Sequence, residues 1–387
     1  MSLPIPRVKP LGWVDDEVFL AAQATQLDLN ISLLDGQNSV DEQLAAHAGM
    51  QFTRTDLKSG TSILSKLTAI QQTTTVGAPA NRQAMILASG TTTLPAPAFE
   101  MLNDGTSPSL CQNFGAGTGG VPLSAPACDA SGVFFYGGNG GNVYASFDGG
   151  ASSVLQTVTG LSAPVTWVGA TLAHYLVWEL STSRLYVSSA LAGTWTNSVF
   201  AFSSPIDLAT NGAGVYVMYG NASGTPKIYR STDDGVTWTL EFNAPTSGVG
   251  GLCYSTTDQK FYLLVPDSLT SQPKLYQSAD GATWTLARTI AALQGANFGG
   301  HHTVAAVGNV IACVANRAVN AINRHPYGVA YTLDAGATWF EEYFSDPTGG
   351  NPIAELIAAN GRFYAIDSLA LYQSGVLAAP PVLFTGV

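Results

Sequence analysis

Short runs of β-branched and aromatic residues, bounded by Gly, Asn, Asp and Pro, recur along most of the chain and read as strands. One set is "GVFFYGGN" (132–139), "HYLVWELS" (174–181), "GVYVMYGN" (214–221), "KFYLLVPD" (260–267), "NVIACVAN" (309–316) and "GRFYAIDS" (361–368). A second set follows these in turn: "NVYAS" (142–146), "RLYVS" (184–188), "KIYRS" (227–231), "KLYQS" (274–278), "GVAYT" (328–332) and "LALYQSG" (369–375). An innermost strand per unit is read in "PIDLATN" (205–211), "VGGLCYS" (249–255), "HHTVAAV" (301–307) and "IAELIAA" (353–359), and an outer one in segments such as "TWTLEF" (237–242). Four strands per unit of roughly 40 to 50 residues is the blade of a β-propeller, so the fold class is all-β with antiparallel four-stranded blades. Six units are counted from about 126 to 387, and residues 80 to 125, with "AMILASG" (84–90), hold a degenerate seventh; seven blades are expected and six is the alternative.

A polar turn separates the second set of strands from the outer ones. It is complete in "STDDGVTW" (231–238) and "TLDAGATW" (332–339), one residue shorter in "SADGATW" (278–284), and degenerate in "SFDGGASS" (146–153), which has no Trp, and "SSALAGTW" (188–195), which has no Asp. An Asp there accepts backbone N–H bonds across the turn, Gly adopts the conformation other residues avoid, Ser or Thr ties down the hairpin, and Trp covers the space towards the next unit. The residues given these structural roles are Ser146, Asp148, Gly150, Trp195, Ser231, Asp233, Gly235, Thr237, Trp238, Ser278, Asp280, Thr283, Trp284, Thr332, Asp334, Gly336, Thr338 and Trp339. On them the repeat closely resembles the Asp-box, or sialidase-type BNR, repeat of bacterial sialidases, some glycosidases, sortilin-like receptors, photosystem assembly factors and phage tail proteins. The resemblance covers about 126 to 387. It implies turns at the blade periphery, away from a central site, so that Asp233, Asp280 and Asp334 are not catalytic.

The amino-terminal residues do not share the repeat. "DDEVFLAAQATQLDLNISLLDG" (15–36) and "GTSILSKLTAIQQTT" (60–74) have apolar residues at a spacing that suits a helix as well as a strand, and "TTTVGAPANR" (73–82) reads as a linker. The expected division is an attachment or oligomerisation region over 1–75 and a propeller over 76–387.

Composition narrows the class of surface. With 11% charged residues, 41 glycines and a net charge of −11, the surface is built from small hydroxylated residues and amides, and a phosphate-backbone partner is not expected. Pro4, Pro6 and Pro10 interrupt the start where a secretory signal needs a continuous apolar core, and no 18-residue apolar run occurs, so neither export signal nor membrane insertion is expected. Cys111, Cys128, Cys253 and Cys313 have no CxxC spacing, so no metal or other cofactor is expected. Cys111 and Cys128 either pair across a Gly-rich loop or stay as thiols.

Candidate chemistry is sparse. The early Arg-Ile-Pro motif of sialidases is missing, "PIPR" (4–7) having the letters in another order, and the arginines at 184, 230, 288, 317, 324 and 362 show no convergence. A different glycosidase needs only two carboxylates. Glu179, Glu241, Glu341, Glu342, Glu355, Asp207 and Asp367 are the candidates, and of these Asp207 and Glu355 fall in innermost strands, where they line a central channel. Glu341 and Glu342, like His301 and His302, are neighbours on a strand and point to opposite faces; His325 falls in a loop. Trp167, Tyr175, Trp178, Tyr219 and Asn221 are the candidate sugar-binding residues, since sugars present flat apolar faces and hydroxyls.

These features, with the resemblance, point to a non-enzymatic bacteriophage virion protein, made in the host cytoplasm. Residues 1–75 would join it to other virion proteins or to copies of itself, and the propeller would bind a host-surface glycan or decorate the particle. The alternatives are a glycosidase acting on surface polysaccharide and an intracellular assembly factor.

Overall fold

The computed structural model describes residues 50, 52–56, 63–70, 85–91, 99–103, 107–110, 124, 127–129, 131, 133–147, 153–180, 182–200, 204–222, 225–244, 250–265, 267, 272–290, 302–315, 328–334, 338–343, 355–359, 361–366, 370–375 and 377. The chain divides into two compact units, Met1–His47 and Ala48–Val387, and every described residue belongs to the second.

The unit is all-β. Among the described residues there are seven four-stranded sheets, each antiparallel throughout, one short parallel pair of Val158–Thr159 with Gly193–Thr194, and no α-helix. We number the sheets I to VII by their innermost strands: Ile63–Ile70, Ala127–Cys128, Val165–Ala170, Ser204–Thr210, Gly251–Ser255, His302–Val307 and Glu355–Ala359. These seven strands touch one another in chain order, and the strand of sheet VII touches that of sheet I, so the inner strands form a closed ring. This is the propeller predicted by the strand pattern.

Four of the innermost strands coincide to within two or three residues with those read from the sequence. The hairpins behind them hold a constant register, in which Phe134, Tyr175, Tyr216, Phe261 and Ile311 face Ser146, Ser188, Ser231, Ser278 and Thr332, the first residue of each turn.

Sheet VII explains why "LALYQSG" is followed by no turn. Its outer strand is Thr53–Asp56, paired antiparallel with Ala370–Gln373, so the two ends of the unit share one sheet. The boundary expected at 75/76 therefore lies inside the sheet-forming unit. Thr53–Asp56 completes sheet VII and Ile63–Ile70 opens sheet I, which also contains Met85–Thr91, Phe99–Asn103 and Ser107–Leu110. Within the mixed apolar stretch 60–74, Ile63–Ile70 is an inner strand with a register shift between Leu64 and Lys66, which breaks strict alternation. The linker read at 73–82 lies outside the described residues.

Neighbouring sheets pack face to face through aromatic and branched side chains. Trp178, Leu185 and Val187 of sheet III meet Met218 and Tyr229 of sheet IV, and Tyr219 and Ile228 of sheet IV meet Phe261, Leu263 and Trp284 of sheet V. Full burial of such a side chain contributes about 1.5–3 kcal/mol, so each inter-sheet layer is a substantial core in its own right.

Candidate functional site

The polar turns are closed by dense local hydrogen bonding. In the turn of sheet IV, Ser231 Oγ accepts the Gly235 N–H at 2.9 Å, Asp233 Oδ1 accepts the Thr237 N–H at 2.8 Å, and Asp233 Oδ2 accepts the Thr237 hydroxyl at 2.5 Å. Trp238 Nε1 donates to the Gly235 carbonyl at 2.8 Å. The shorter turn of sheet V keeps the pattern: Ser278 Oγ accepts the Gly281 N–H, Asp280 Oδ1 accepts the N–H groups of Ala282 and Thr283, and Trp284 Nε1 donates to the Gly281 carbonyl. In sheet VI, Asp334 accepts the Thr338 N–H and hydroxyl, and the Thr332 hydroxyl donates to Asp334 Oδ1. Gly336, Asp148 and Gly150 lie outside the described residues, while Ser146 is buried and Trp339 packs against the core between sheets V and VI.

Each carboxylate is consumed by its own turn. Burial would raise the Asp233 carboxyl, but the Thr237 hydroxyl and N–H and the Ser231 hydroxyl outweigh it and hold the group below its ordinary value. Asp280 is held down chiefly by the Thr283 N–H, against an opposing effect of burial. Such groups are built for architecture.

Three of the candidate carboxylates fall into two kinds. Glu179 is fully buried, and it accepts the N–H groups of Ser162 and Ala163, both at 2.7 Å, and the hydroxyls of Thr182 at 2.6 Å and Tyr186 at 3.1 Å. Burial pushes its carboxyl up, and these donors more than reverse the effect, leaving an ionised anchor for the segment that enters sheet III. Asp207 and Glu355 are the other kind. Both line a cavity of about 310 Å3 bounded by the inner strands of sheets IV to VII, together with Leu252, Cys253, Tyr254, Thr303 and Val304. Their placement in the channel was legible in the sequence.

The cavity wall is tied from sheet to sheet. Asp207, at a register shift in its strand, accepts the Leu252 N–H of sheet V at 3.0 Å through Oδ2. Behind it Tyr219 Oη accepts the Gly250 N–H at 2.8 Å, and burial, opposed by that bond and reinforced by Asp207, pushes the Tyr219 phenol up. Thr303 Oγ1 accepts the Leu356 N–H at 3.3 Å and donates to the Leu356 carbonyl at 3.0 Å. Cys253, a free thiol on the same wall, is pushed well up by burial and by the neighbouring Cys313 and Asp207, which favours its protonated form.

The candidate aromatic platforms do not converge. Trp178 and Tyr219 are completely buried between sheets, which removes them as sugar-binding surfaces: the alternation of their strands points them into the core. Tyr175 is half-buried and donates to Asp129 Oδ2 at 2.8 Å, a link from sheet III to the hairpin of sheet II. Trp167 is half-buried on the inner strand of sheet III, and Asn221 sits at the strand end with its side chain outside the described residues. Glu341, Glu342, His301, His302 and His325 also have side chains outside the described residues, as does Cys111. Among the described residues no cluster of three His, Cys, Asp or Glu residues could hold a metal, and no helix is long and apolar enough to cross a membrane.

Sequence reasoning missed the contacts between sheets. Arg230 Nε donates to the Asp280 carbonyl at 2.8 Å, and Asp234, the second Asp of "STDDGVTW", reaches back to the hairpin of sheet III. The doubled Asp was the one available signal. Thr303 carried no signal at all, because a lone Thr in a strand is unremarkable.

Comparison with known proteins shows the same fold. The structure of YCF48 bound to D1 peptide matches with a TM-score of 0.57 at 12% identity, covering 85% of this chain and 97% of that one. A GH74 enzyme of Niastella koreensis matches with a TM-score of 0.52 at 15% identity over 82% of this chain and 43% of its own. A xyloglucanase of Hypocrea jecorina (strain QM6a) is 34% identical over 76 residues, which is 20% of this chain and 9% of the xyloglucanase. The chain thus spans a small part of that curated relative, and under half of the GH74 enzyme. No family model matches the chain. The class defined by fold and neighbours is the β-propeller.

Proposed function

We propose that this protein is a non-enzymatic display propeller that binds a glycan at its central channel. The observation carrying this reading is the cavity between the inner strands of sheets IV to VII, lined by the carboxylate-bearing residues Asp207 and Glu355, whose oxygens suit sugar hydroxyls. Likeness in fold to a GH74 enzyme and the local match to a protein named xyloglucanase support a glycan as the ligand class. We take the seven ringed sheets as seven blades and the stapled turns as Asp-boxes with a purely structural role. The low charge of the chain, 11% of residues, suits an outward-facing particle protein, and on that basis we assign it to a phage virion, with the amino-terminal unit as its attachment.

One observation favours a second reading: Asp207 and Glu355 line the same cavity, as a glycosidase's two carboxylates would. A single experiment separates the two. Full-length protein is incubated with bacterial cells, their isolated surface polysaccharide and soluble xyloglucan, and retention and released reducing sugar are measured together. Retention without release is expected. Release that disappears in Asp207→Asn or Glu355→Gln would establish the glycosidase, and absence of retention on every glycan would sink the binding reading.

A further inference from the structure

The inner strands share one register relative to their turns. Counting from the residue that faces the turn's first Ser or Thr, the third residue along the second strand pairs with Asp207 in sheet IV, Gly251 in sheet V and Thr303 in sheet VI. In sheet VII, Phe363, whose N–H donates to Ser374 Oγ at 2.9 Å, occupies the starting position, and the equivalent residue is Glu355. One position further along the inner strand stand Leu208, Leu252, Val304 and Leu356.

The hairpins of sheets VI and VII close on the pairs Val307↔Val310 and Ala359↔Arg362, each across a two-residue loop. Hydrogen-bonded and non-hydrogen-bonded pairs alternate from such a closing pair, which makes Val304↔Cys313 and Leu356↔Ala365 non-hydrogen-bonded. Both residues therefore turn their N–H and C=O groups to the free edge of the strand, at the ring's inner side. Leu356 is capped there by Thr303 Oγ1 of the preceding sheet, which accepts its N–H and donates to its C=O. Leu252 has its N–H capped by Asp207 of the preceding sheet. The other two positions are uncapped: Leu208 follows Trp167 and Val304 follows Gly251 in the preceding sheets, and among the described residues no side chain bonds to either backbone; only at Val304 is the residue in the capping place a glycine, with no side chain to fill it. Val304 lines the cavity.

We propose that the Val304 N–H and C=O are the seat of a ligand hydroxyl, which fills on Val304 the place that Thr303 Oγ1 fills on Leu356. A hydroxyl both accepts and donates, as this pair of backbone groups requires; a carboxylate only accepts and an ammonium only donates. The ligand is accordingly a neutral polyhydroxylated molecule, a sugar, with Asp207 and Glu355 on the same wall to accept from further hydroxyls and repel anions. This rests on the glycan reading above and adds its position and charge class.

The test supplies the missing cap from the chain itself. Gly251→Thr places a hydroxyl where Thr303 has one, and Gly251→Ala adds bulk without it. Binding of full-length protein to a xyloglucan heptasaccharide and to fragments of bacterial surface polysaccharide is measured by calorimetry, with hydrogen exchange of the Val304 amide followed in parallel. Bound sugar should slow exchange at Val304 in the wild type, Gly251→Thr should weaken binding about tenfold or more at unchanged melting temperature, and Gly251→Ala should weaken it by less than about threefold. Wild-type binding with no protection at Val304 would overturn the seat and leave the glycan reading standing, and this readout decides even where Gly251→Thr does not fold. Binding by Gly251→Thr as tight as wild type would also overturn it. No binding by the wild type to either sugar would remove both.

Discussion

Asp234 Oδ2 accepts a hydrogen bond from His174 Nδ1 at 2.8 Å, so the turn of sheet IV grips the hairpin of sheet III. The same carboxylate accepts the Leu172 N–H at 3.1 Å, the Ala173 N–H at 2.8 Å and the Thr171 hydroxyl at 3.0 Å, while Tyr216 Oη accepts the Leu172 N–H at 2.8 Å. Asp234 holds a positive φ of 58° to do so, a conformation in which Asp is among the few tolerated residues. This turn therefore performs two tasks, Asp233 closing it and Asp234 clipping it to its neighbour.

Removing the clip should cost more than its exposure suggests. Asp234→Ala removes the carboxylate from four donors in sheet III, of which the Ala173 N–H is left with no other acceptor while Leu172, Thr171 and His174 keep Tyr216 Oη or backbone carbonyls, and a loss of about 1–3 kcal/mol is expected. Thermal unfolding checks it: the melting temperature should fall by several degrees in Asp234→Ala and by less in Asp234→Asn. Equal stability of wild type and Asp234→Ala would show the clip to be energetically idle.

The fold was readable because its period is local. A strand of alternating or continuous apolar residues, a polar turn of fixed composition and another strand lie within one stretch of chain, and nothing distant is needed to recognise them. The ends of the unit were harder. Thr53–Asp56 makes sense as a strand only beside Ala370–Gln373, some three hundred residues away, and no short-range pattern announces such a pairing. The site was half legible: Asp207 and Glu355 were placed in the channel from strand order alone. Trp178 and Tyr219 were offered as sugar platforms because a sequence shows that an aromatic is present and not which face of the sheet it takes. Gly251 could not be noticed until the register showed which residue it stands in for.

The tryptophans of the turns should differ in what their indole nitrogen contributes. Trp238 Nε1 and Trp284 Nε1 bond to the Gly235 and Gly281 carbonyls at 2.8 and 3.0 Å, whereas Trp195 Nε1, in the turn without Asp, is buried with no hydrogen-bond partner among the described residues. Phe keeps most of the ring and deletes the donor. Trp238→Phe and Trp284→Phe are expected to destabilise by about 0.5–1.5 kcal/mol in denaturant unfolding, and Trp195→Phe to be neutral or stabilising. A larger loss in Trp195→Phe than in Trp238→Phe would contradict the assignment.

Gly235 and Gly281 are required twice over. Their φ angles are 85° and 76°, and a Cβ on them would approach Thr171 Cγ2 to 2.9 Å and Val217 Cγ2 to 2.7 Å, both on the preceding sheet. Replacement by Ala adds left-handed strain of about 1–2 kcal/mol to the cost of parting two sheets. Gly235→Ala and Gly281→Ala should each melt well below wild type, while Ala in place of Gly212, whose Cβ would meet nothing within 4 Å, should incur the strain alone. Similar losses at all three sites would mean that the close approach between sheets contributes nothing.

Acid should unfold the protein through its hydrogen-bonded carboxylates. Burial acts to raise the carboxyls of Asp234 and Glu179, but for Asp234 the His174, Ala173 and Thr171 donors, and for Glu179 the Thr182, Ser162, Ala163 and Tyr186 donors, win and hold each below its ordinary value, 3.8 for Asp and 4.5 for Glu. A depressed folded-state value means that the unfolded chain binds more protons at low pH, so stability rises with pH through this range. The contribution is complete above about pH 4.5, begins to be lost as the pH drops below the ordinary values, and is gone once the pH has passed below the folded ones. Melting temperatures measured from about pH 6 down to about pH 3 should fall most steeply below pH 4.5, and the double variant Asp234→Asn, Glu179→Gln should start from a lower melting temperature and show a shallower slope. An unchanged slope in that variant would assign the acid sensitivity to other groups.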